Sequence, residues 1–305
     1  MREGEASRTA AYMALFRALE FTLPVGQRLF EDQFALAFLP PRLRLVALLS
    51  RIRLAGDLIR TYIDRQWPGA RTSAVARTKF IDDVAESALR SGVAQVVILG
   101  AGFDARAYRI PGMDRAVVFE VDHPSTSARK RRVAETVLGS LPRHLRFVAI
   151  DFTAEVLSHA MSAAGYDRSR RTLFILEGVT NYLTEAAVDG TLRWCASAAV
   201  GSTVLFTYVH RQVLDSPEVF EGTKKLFTTL LAAGERWTFG LDPSGLRTFL
   251  ADRGLMLDED VGASEYRARY FGPSASEMRG YEFYRIAVAQ VPDILPTTRE
   301  DLGHT

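Results

Sequence analysis

Residues 96–104 read VVILGAGFD. Four apolar residues run directly into Gly-Ala-Gly, and an acid follows two positions after the second glycine. A strand broken by two glycines is either an ordinary tight turn or a turn that lets a ligand touch the backbone. Glycine serves both, because it lacks a β-carbon and reaches left-handed dihedrals. The residues on either side decide between the two.

Downstream, short apolar runs at 117–121, 145–150, 173–176 and 204–207 have strand length and are rich in Val and Ile. Helix-like segments at 125–138, 154–163 and 185–198 separate them. Runs that are apolar on both faces and alternate with helices predict a parallel sheet covered on both sides. Segments 217–231 and 243–251 read as helices with Pro at or near the first turn. Residues 255–258 read as a weak strand, 259–280 as loop, and 281–291, YEFYRIAVAQV, as a long closing strand.

Upstream, residues 7–92 are helical in texture, with apolar residues three and four apart, as in Leu45, Leu48, Leu49 and Ile52. Pro24, Pro40-Pro41 and Pro68-Gly69 punctuate this region without opening a domain linker. The expected organisation is one α/β domain. Residues 1–92 form a helical cap on it, 93–305 form the core, and an insertion at about 211–275 precedes the last strands.

Bulk properties bound the function. Of 305 residues, 48% are hydrophobic and 24% charged, which is ordinary for a globular protein. The 38 basic and 36 acidic residues leave a net charge of +2, which argues against a nucleic-acid surface as the main business. The single cysteine, Cys195, reads as a small buried hydrophobe in a reducing compartment. No run reaches the ~18 apolar residues of a membrane span, and MREGEASR is too charged for a secretory signal. The expectation is a cytoplasmic protein that acts on a small molecule, with no nucleic-acid, membrane or metal partner. The oligomeric state is not legible.

In an open parallel sheet ligands bind outside the carboxyl ends of the strands, and four successive strands end in glycine or an acid. The first ends in Gly100-Ala101-Gly102, the second in Glu120-Val121-Asp122, the third in Asp151 and the fourth in Glu177. Asp122 lies 22 residues after Gly100, where an acid can accept both hydroxyls of a ribose. Glu120 lies one pleat deeper on the same face. Asp151 can accept from an exocyclic amine, or simply cap a helix. Glu177 can offset a cation. Together these ends predict a nucleoside site.

Gly100, Gly102 and Ala105 also fit the G-x-G-x-x-A pattern of NAD-binding folds. That reading needs a helix at the turn to hold a diphosphate. Here Pro111-Gly112 stops any helix early, and Asp104 would face the phosphates. A phosphate-free nucleoside, S-adenosylmethionine, suits this turn better.

The blocks ARTKFIDD, LGAGFDARAYRI, FEVDHP and ILEGVTNYLTEAAV, in this order, resemble the leucine carboxyl methyltransferase family. The resemblance runs from about Ser7 to the final strand and is strongest between Arg77 and Leu183. The bacterial branch of that family includes mycobacterial-type methyltransferases and polyketide carboxyl O-methyltransferases. The resemblance implies a class I methyltransferase fold, Rossmann-like, with a seven-stranded sheet that ends in an antiparallel strand. It also implies that Gly100, with Ala101 and Gly102, underlies the methionine part of the cofactor and that Asp122 holds the ribose. Asp151 and Phe152 would frame the adenine, Glu177 would lie at the amino-acid end, and Arg77 would hold the carboxylate. Arg8 would close over the ligand. His123 follows the ribose acid and either helps seat the cofactor or starts the next helix.

The implied activity is S-adenosylmethionine-dependent O-methylation, of a natural-product carboxylate in the first reading. Such an acceptor, with a pKa of about 3.5, is already ionised at neutral pH and needs no base. A hydroxyl or phenol acceptor would need one; His210 is the candidate base or has a surface or structural role, and Tyr182 either lines the acceptor pocket or packs. Trp237, Thr238 and Phe239 either wall the acceptor pocket or belong to the core. Arg211, Arg236, Arg267 and Arg269 either meet an acidic acceptor or are solvated. An NAD-dependent oxidoreductase and a catalytically silent nucleoside-binding protein are the rival readings.

Overall fold

The computed structural model describes residues 8–151 and 155–293. Phe152 and the side chain of Arg8, both assigned above, lie outside what is described. The strands are β1 (Gln95–Leu99), β2 (Val117–Asp122), β3 (Leu145–Ala149), β4 (Thr172–Leu176), β5 (Thr203–Val209), β6 (Met256–Gly262) and β7 (Tyr284–Gln290). They form one sheet in the order β3-β2-β1-β4-β5-β7-β6. The first five strands are mutually parallel, and β7 runs antiparallel to both β5 and β6. The chain reverses its direction of travel across the sheet between β1 and β4, so their tips flank the switch point where such sheets bind ligands.

The α-helices of six residues or more among the described residues are α1 (Arg8–Phe21), α2 (Pro41–Leu49), α3 (Arg53–Gln66), α4 (Ala70–Arg90), α5 (Pro124–Leu138), α6 (Leu157–Ala163), α7 (Glu185–Ala196), α8 (Thr223–Ala232), α9 (Leu246–Ala251) and α10 (Ala263–Phe271). The apolar runs of the strands serve two cores at once, because alternate side chains point to opposite faces. Val97, Leu99, Phe174 and Phe206 pack with Leu192 and Cys195 of α7. Val96, Ile98, Ile175 and Leu205 pack with Phe80 and Ile81 of α4 and Tyr266 of α10. A third cluster joins Leu15, Phe16 and Leu19 of α1 to Phe103 of the glycine turn and to Trp237, Phe283 and Tyr284. The cap therefore sits against the β1 tip and the carboxyl end of β5.

Three expectations need correction. Residues 259–280 are not loop: β6 runs to Gly262, and α10 follows. Ala263, Tyr266 and Tyr270 recur at helical spacing but are interleaved with Glu265, Arg267 and Arg269, which mask the pattern. Glu265 caps the helix by accepting from the Gly262 N–H at 2.5 Å. The closing strand starts at Tyr284, because Tyr281 and Phe283 stack with each other in the third cluster. The helix expected over 217–231 is broken, and α8 starts only after Gly222, at φ +83°. The stretch read as an insertion thus contains a strand of the sheet.

Candidate functional site

The β1 tip turns through Gly100 at φ +64° and Gly102 at φ +43°, which L side chains rarely adopt. A β-carbon on Gly100 would also lie 2.5 Å from Val179 Cγ2, in the loop after β4. The turn is thus packed closely against the neighbouring strand tip. Asp122 binds this turn directly. Its Oδ2 accepts from the Gly102 N–H at 2.5 Å and its Oδ1 from the His123 N–H at 2.6 Å. Burial raises the Asp122 pKa, and those two N–H groups pull it back in part.

His123 opens α5. Its Nδ1 accepts from the Ser125 N–H at 3.3 Å, and Pro124 occupies the first helical position. The side chain thus stands at the helix start, one of its two readings. The carbonyl of Ala101 accepts from Lys130 Nζ at 3.2 Å. Lys130 in turn pairs with Glu120 at 2.9 Å, and both are fully buried. Glu120 therefore supports the turn from below. Asp151 lies two residues beyond the end of β3, and its N–H donates to Glu155 Oε1 at 3.0 Å. It does not cap α6, which starts at Leu157 after Val156 with no side-chain cap.

Glu177 lies at the β4 tip, held by two guanidinium groups. Oε1 accepts from Arg77 Nε at 2.9 Å and Oε2 from Arg106 Nη1 at 2.8 Å. Burial opposes its ionisation, but Arg106 and Arg77 outweigh that and hold the carboxyl at about 2. Arg77 is buried, not on a solvated helix face. Its guanidinium lies 4.6 Å from the Tyr284 ring centroid. Burial disfavours its charge, yet Glu177 keeps its pKa raised.

Arg106, Asp82 and Arg109 were not singled out in the sequence, and Asp104 only as an obstacle to phosphate. Arg106 donates to Asp82 at 2.8 Å, to Asp104 at 2.5 Å and to Glu177. Arg109 completes Asp82 at 2.7 Å. The signal for them was the D-x-R-x-x-R run directly after the glycine turn, together with Asp82 between Ile81 and Ala85 on the buried side of α4. The helix after the turn spans only Arg106–Arg109, and Asp104 sits beside it. A diphosphate thus has neither the helix N-terminus nor the charge that it needs.

Tyr182 donates to Glu235 Oε2 at 3.0 Å, and Thr9 of α1 donates to the same oxygen at 2.6 Å. Burial and then Glu235 raise the Tyr182 pKa. Glu235 lines a cavity of about 520 Å³ together with Arg211, Phe227, Arg236, Trp237 and Phe239. Trp237 and Phe239 are both core and cavity wall. The ring of Trp237 lies 6.1 Å from that of Tyr284, on which Arg77 rests. Three consecutive side-chain contacts thus link the cavity wall to Glu177. His210 is positioned differently: its Nδ1 accepts from the Gln212 N–H at 3.1 Å and its ring faces Phe220. Arg267 and Arg269 pair with Glu282 and Glu259, and Arg211 lies 3.9 Å from Asp215. Arg236 has no ion-pair partner among the described residues. The described residues hold no group of three or more His, Cys, Asp or Glu side chains that could bind a metal.

Two solved structures share the architecture. A Thermobifida fusca protein described as a methyltransferase aligns with a TM-score of 0.58 over 95% of this chain and 97% of that one, at 18% identity. A DUF574 family protein of Streptomyces avermitilis aligns with a TM-score of 0.59 over 95% and 99%, at 14% identity. At these identities the likeness is one of fold, and the fold is the Rossmann-like one of class I methyltransferases. A family model described as leucine carboxyl methyltransferase matches residues 10–196. A Frankia alni protein named as an S-adenosyl-L-methionine-dependent methyltransferase is 37% identical over 215 residues, 68% of this chain and 70% of that one. A Mycobacteroides abscessus protein of the same name is 33% identical over 209 residues, 67% of each chain. The chain belongs to the leucine carboxyl methyltransferase family.

Proposed function

We propose that this methyltransferase transfers the methyl group of S-adenosylmethionine to an oxygen of a small organic acid, forming a methyl ester. The residues at the strand tips fit the cofactor. The Gly100–Gly102 turn presents bare backbone at the strand tip, Asp122 presents a carboxylate at that turn, and Glu177 is ionised where an ammonium group needs a partner. In this reading the turn underlies the methionine part and Asp122 takes the ribose. Asp151 and Phe152 frame the adenine, Glu177 holds the ammonium, and Arg77 offers its remaining N–H groups to the carboxylate. An NAD-dependent oxidoreductase has neither the family nor the helix in its favour.

The observation that carries the choice of acceptor is Arg236. It is a guanidinium without an ion-pair partner among the described residues, on the wall of a cavity whose Trp237 is linked to Glu177 by packed side-chain contacts through Tyr284 and Arg77. A planar guanidinium matches a carboxylate in a bidentate pair. S-adenosylmethionine supplies an activated methyl group and a neutral leaving group. The protein then has to bind, align and exclude water, and alignment alone can supply on the order of 7 to 11 kcal/mol. The buried amide nitrogen of Asn181, which has no partner among the described residues, adds a donor beside Tyr284 and Tyr182.

A second reading rests on Glu235. Its carboxylate accepts from Tyr182 inside the same cavity and can take the proton of a hydroxyl acceptor. One experiment separates the two. The enzyme is incubated with methyl-labelled cofactor and a panel of acids and phenols, and the product is treated with mild alkali. An ester loses its label and establishes the acid acceptor. An ether keeps it and establishes the hydroxyl acceptor. Cofactor binding with no labelled product from the whole panel returns the chain to a silent nucleoside-binding protein.

A further inference from the structure

The second and third helices of the cap turn apolar side chains outward. Leu45, Ile52, Leu54, Leu58 and Tyr62 are each between 58% and 78% exposed. They are not scattered. Leu45 and Ile52 lie two turns apart on one stripe of α2 and its exit, and Leu54, Leu58 and Tyr62 follow at intervals of four along α3. The two stripes meet at Ile52–Leu54. An apolar face of this extent on a globular protein marks a contact surface. At its α2 end the face adjoins a recess of about 450 Å³ lined by Ala11, Tyr12, Pro40, Pro41, Arg42 and Leu43.

The charges around this face say what covers it. Residues 41–66 contain six arginines and two acids. Both acids are engaged: Asp57 by Arg60 at 2.8 Å and Asp64 by Arg71 at 2.6 Å. Arg42, Arg44, Arg51, Arg53 and Arg65 are exposed and have no ion-pair or hydrogen-bond partner among the described residues. Arg65 lies on the Leu54–Leu58–Tyr62 stripe itself, three residues beyond Tyr62. In a chain whose net charge is only +2, five unpaired guanidiniums around one apolar face form a local basic surface. A second copy of the chain fits it poorly, because a two-fold contact sets the same patch against itself, arginine facing arginine. The complementary surface is a sheet of negative charge over hydrocarbon. There the aliphatic stems lie along the apolar face while the guanidiniums reach the phosphates.

We propose that α2 and α3 dock on the surface of an anionic lipid bilayer. Leu45, Ile52, Leu54, Leu58 and Tyr62 enter the boundary of the acyl chains, and the five arginines lie among the headgroups. The pair lies on the membrane and does not cross it. Helices of 9 and 14 residues are too short to span, and no described helix is long and apolar enough to cross a membrane. The expectation of no membrane partner rested on the lack of a spanning stretch, and a surface-lying pair needs none. This inference stands independently of which acceptor is methylated.

The test is flotation of the whole protein with two sets of vesicles, one of phosphatidylcholine alone and one containing a third phosphatidylglycerol. The protein is expected to float with the anionic vesicles only, and added salt is expected to release it. Leu54→Ser with Leu58→Ser, both at exposed positions, should keep the thermal transition and lose at least tenfold in binding. Arg51→Gln with Arg53→Gln should lose on the order of fivefold per charge and show a shallower salt dependence. Absence of wild-type binding to anionic vesicles, or equal binding to both sets, overturns the proposal. So does a concentration-dependent dimer in sedimentation that the Leu54→Ser, Leu58→Ser variant dissolves, which would assign the face to a second copy.

Discussion

Asp122 shows how one side chain serves both fold and ligand. Its oxygens already accept from two backbone N–H groups, so its removal loosens the glycine turn and also deletes the proposed ribose acceptor. Asp122→Ala is expected to weaken S-adenosylmethionine binding by at least tenfold in calorimetry, since a hydrogen bond to a charged group contributes about 1.5–3 kcal/mol. Unchanged affinity would remove Asp122 from the site. Glu177 offers a test by pH. Its carboxyl titrates at about 2 in the fold, below the ordinary value for a glutamate. The stabilisation from its ionised form is therefore complete above the ordinary value and is lost as pH falls toward 2. Glu177→Gln removes this group from the titration. Its melting temperature should fall less steeply than that of the wild type between pH 5 and pH 3. Parallel curves would show that the two arginines do not set the Glu177 pKa.

At the scale of elements, the apolar runs made the sheet legible. Each core strand is buried on both faces, so Val96–Leu99 and Leu173–Leu176 read as unbroken hydrophobic segments. The acids at the tips were legible too, because a strand must end where its apolar run ends. What the sequence hid is pairing through space. Arg106 and Asp82 stand 24 positions apart, and Arg77 and Glu177 stand 100 apart, yet each pair lies within hydrogen-bond distance. No spacing rule relates a helix to a strand tip at that separation. Helix α10 was hidden for another reason, since its inward-packed Tyr266 and Tyr270 are interleaved with charged residues, one of which, Arg267, is itself buried. The glycine turn gives this scale its prediction. An alanine at Gly100 meets both φ +64° and the Val179 methyl at 2.5 Å. Gly100→Ala should cost about 1–3 kcal/mol in denaturant unfolding and also weaken cofactor binding. Gly139→Ala has a similar φ of +75° but open space around it. It should pay the backbone cost alone and keep cofactor affinity.

Across the whole molecule, one chain of buried charge ties the cap to the cofactor site. Four arginines, Arg17, Arg77, Arg106 and Arg109, face four acids, Asp32, Asp82, Asp104 and Glu177. The chain runs from α1 through Arg17 to Asp32, then by Arg109 and Asp82 to Arg106 and Glu177. Arg17 also donates to the carbonyl of Phe103 in the glycine turn at 2.5 Å. Buried ions of balanced number add little net stability, but the loss of one partner strands another charge in the interior. Arg17→Ala leaves Asp32, which is fully buried, with two backbone N–H donors and Arg109 at 3.8 Å. The expected cost is about 3 kcal/mol, the low end for a broken buried pair because those partners remain. Its location is the sharper expectation. Hydrogen exchange should accelerate in α1 and in the turn around Phe103, while the amides of β4 and β5 in the sheet centre keep their protection. If the cap and the site are coupled in this way, S-adenosylmethionine should restore part of the lost protection in α1 when it binds the turn, with no contact to Arg17 required. Equal acceleration across the sheet would instead mean that Arg17 supports the fold as a whole and that the cap has no separate line to the site.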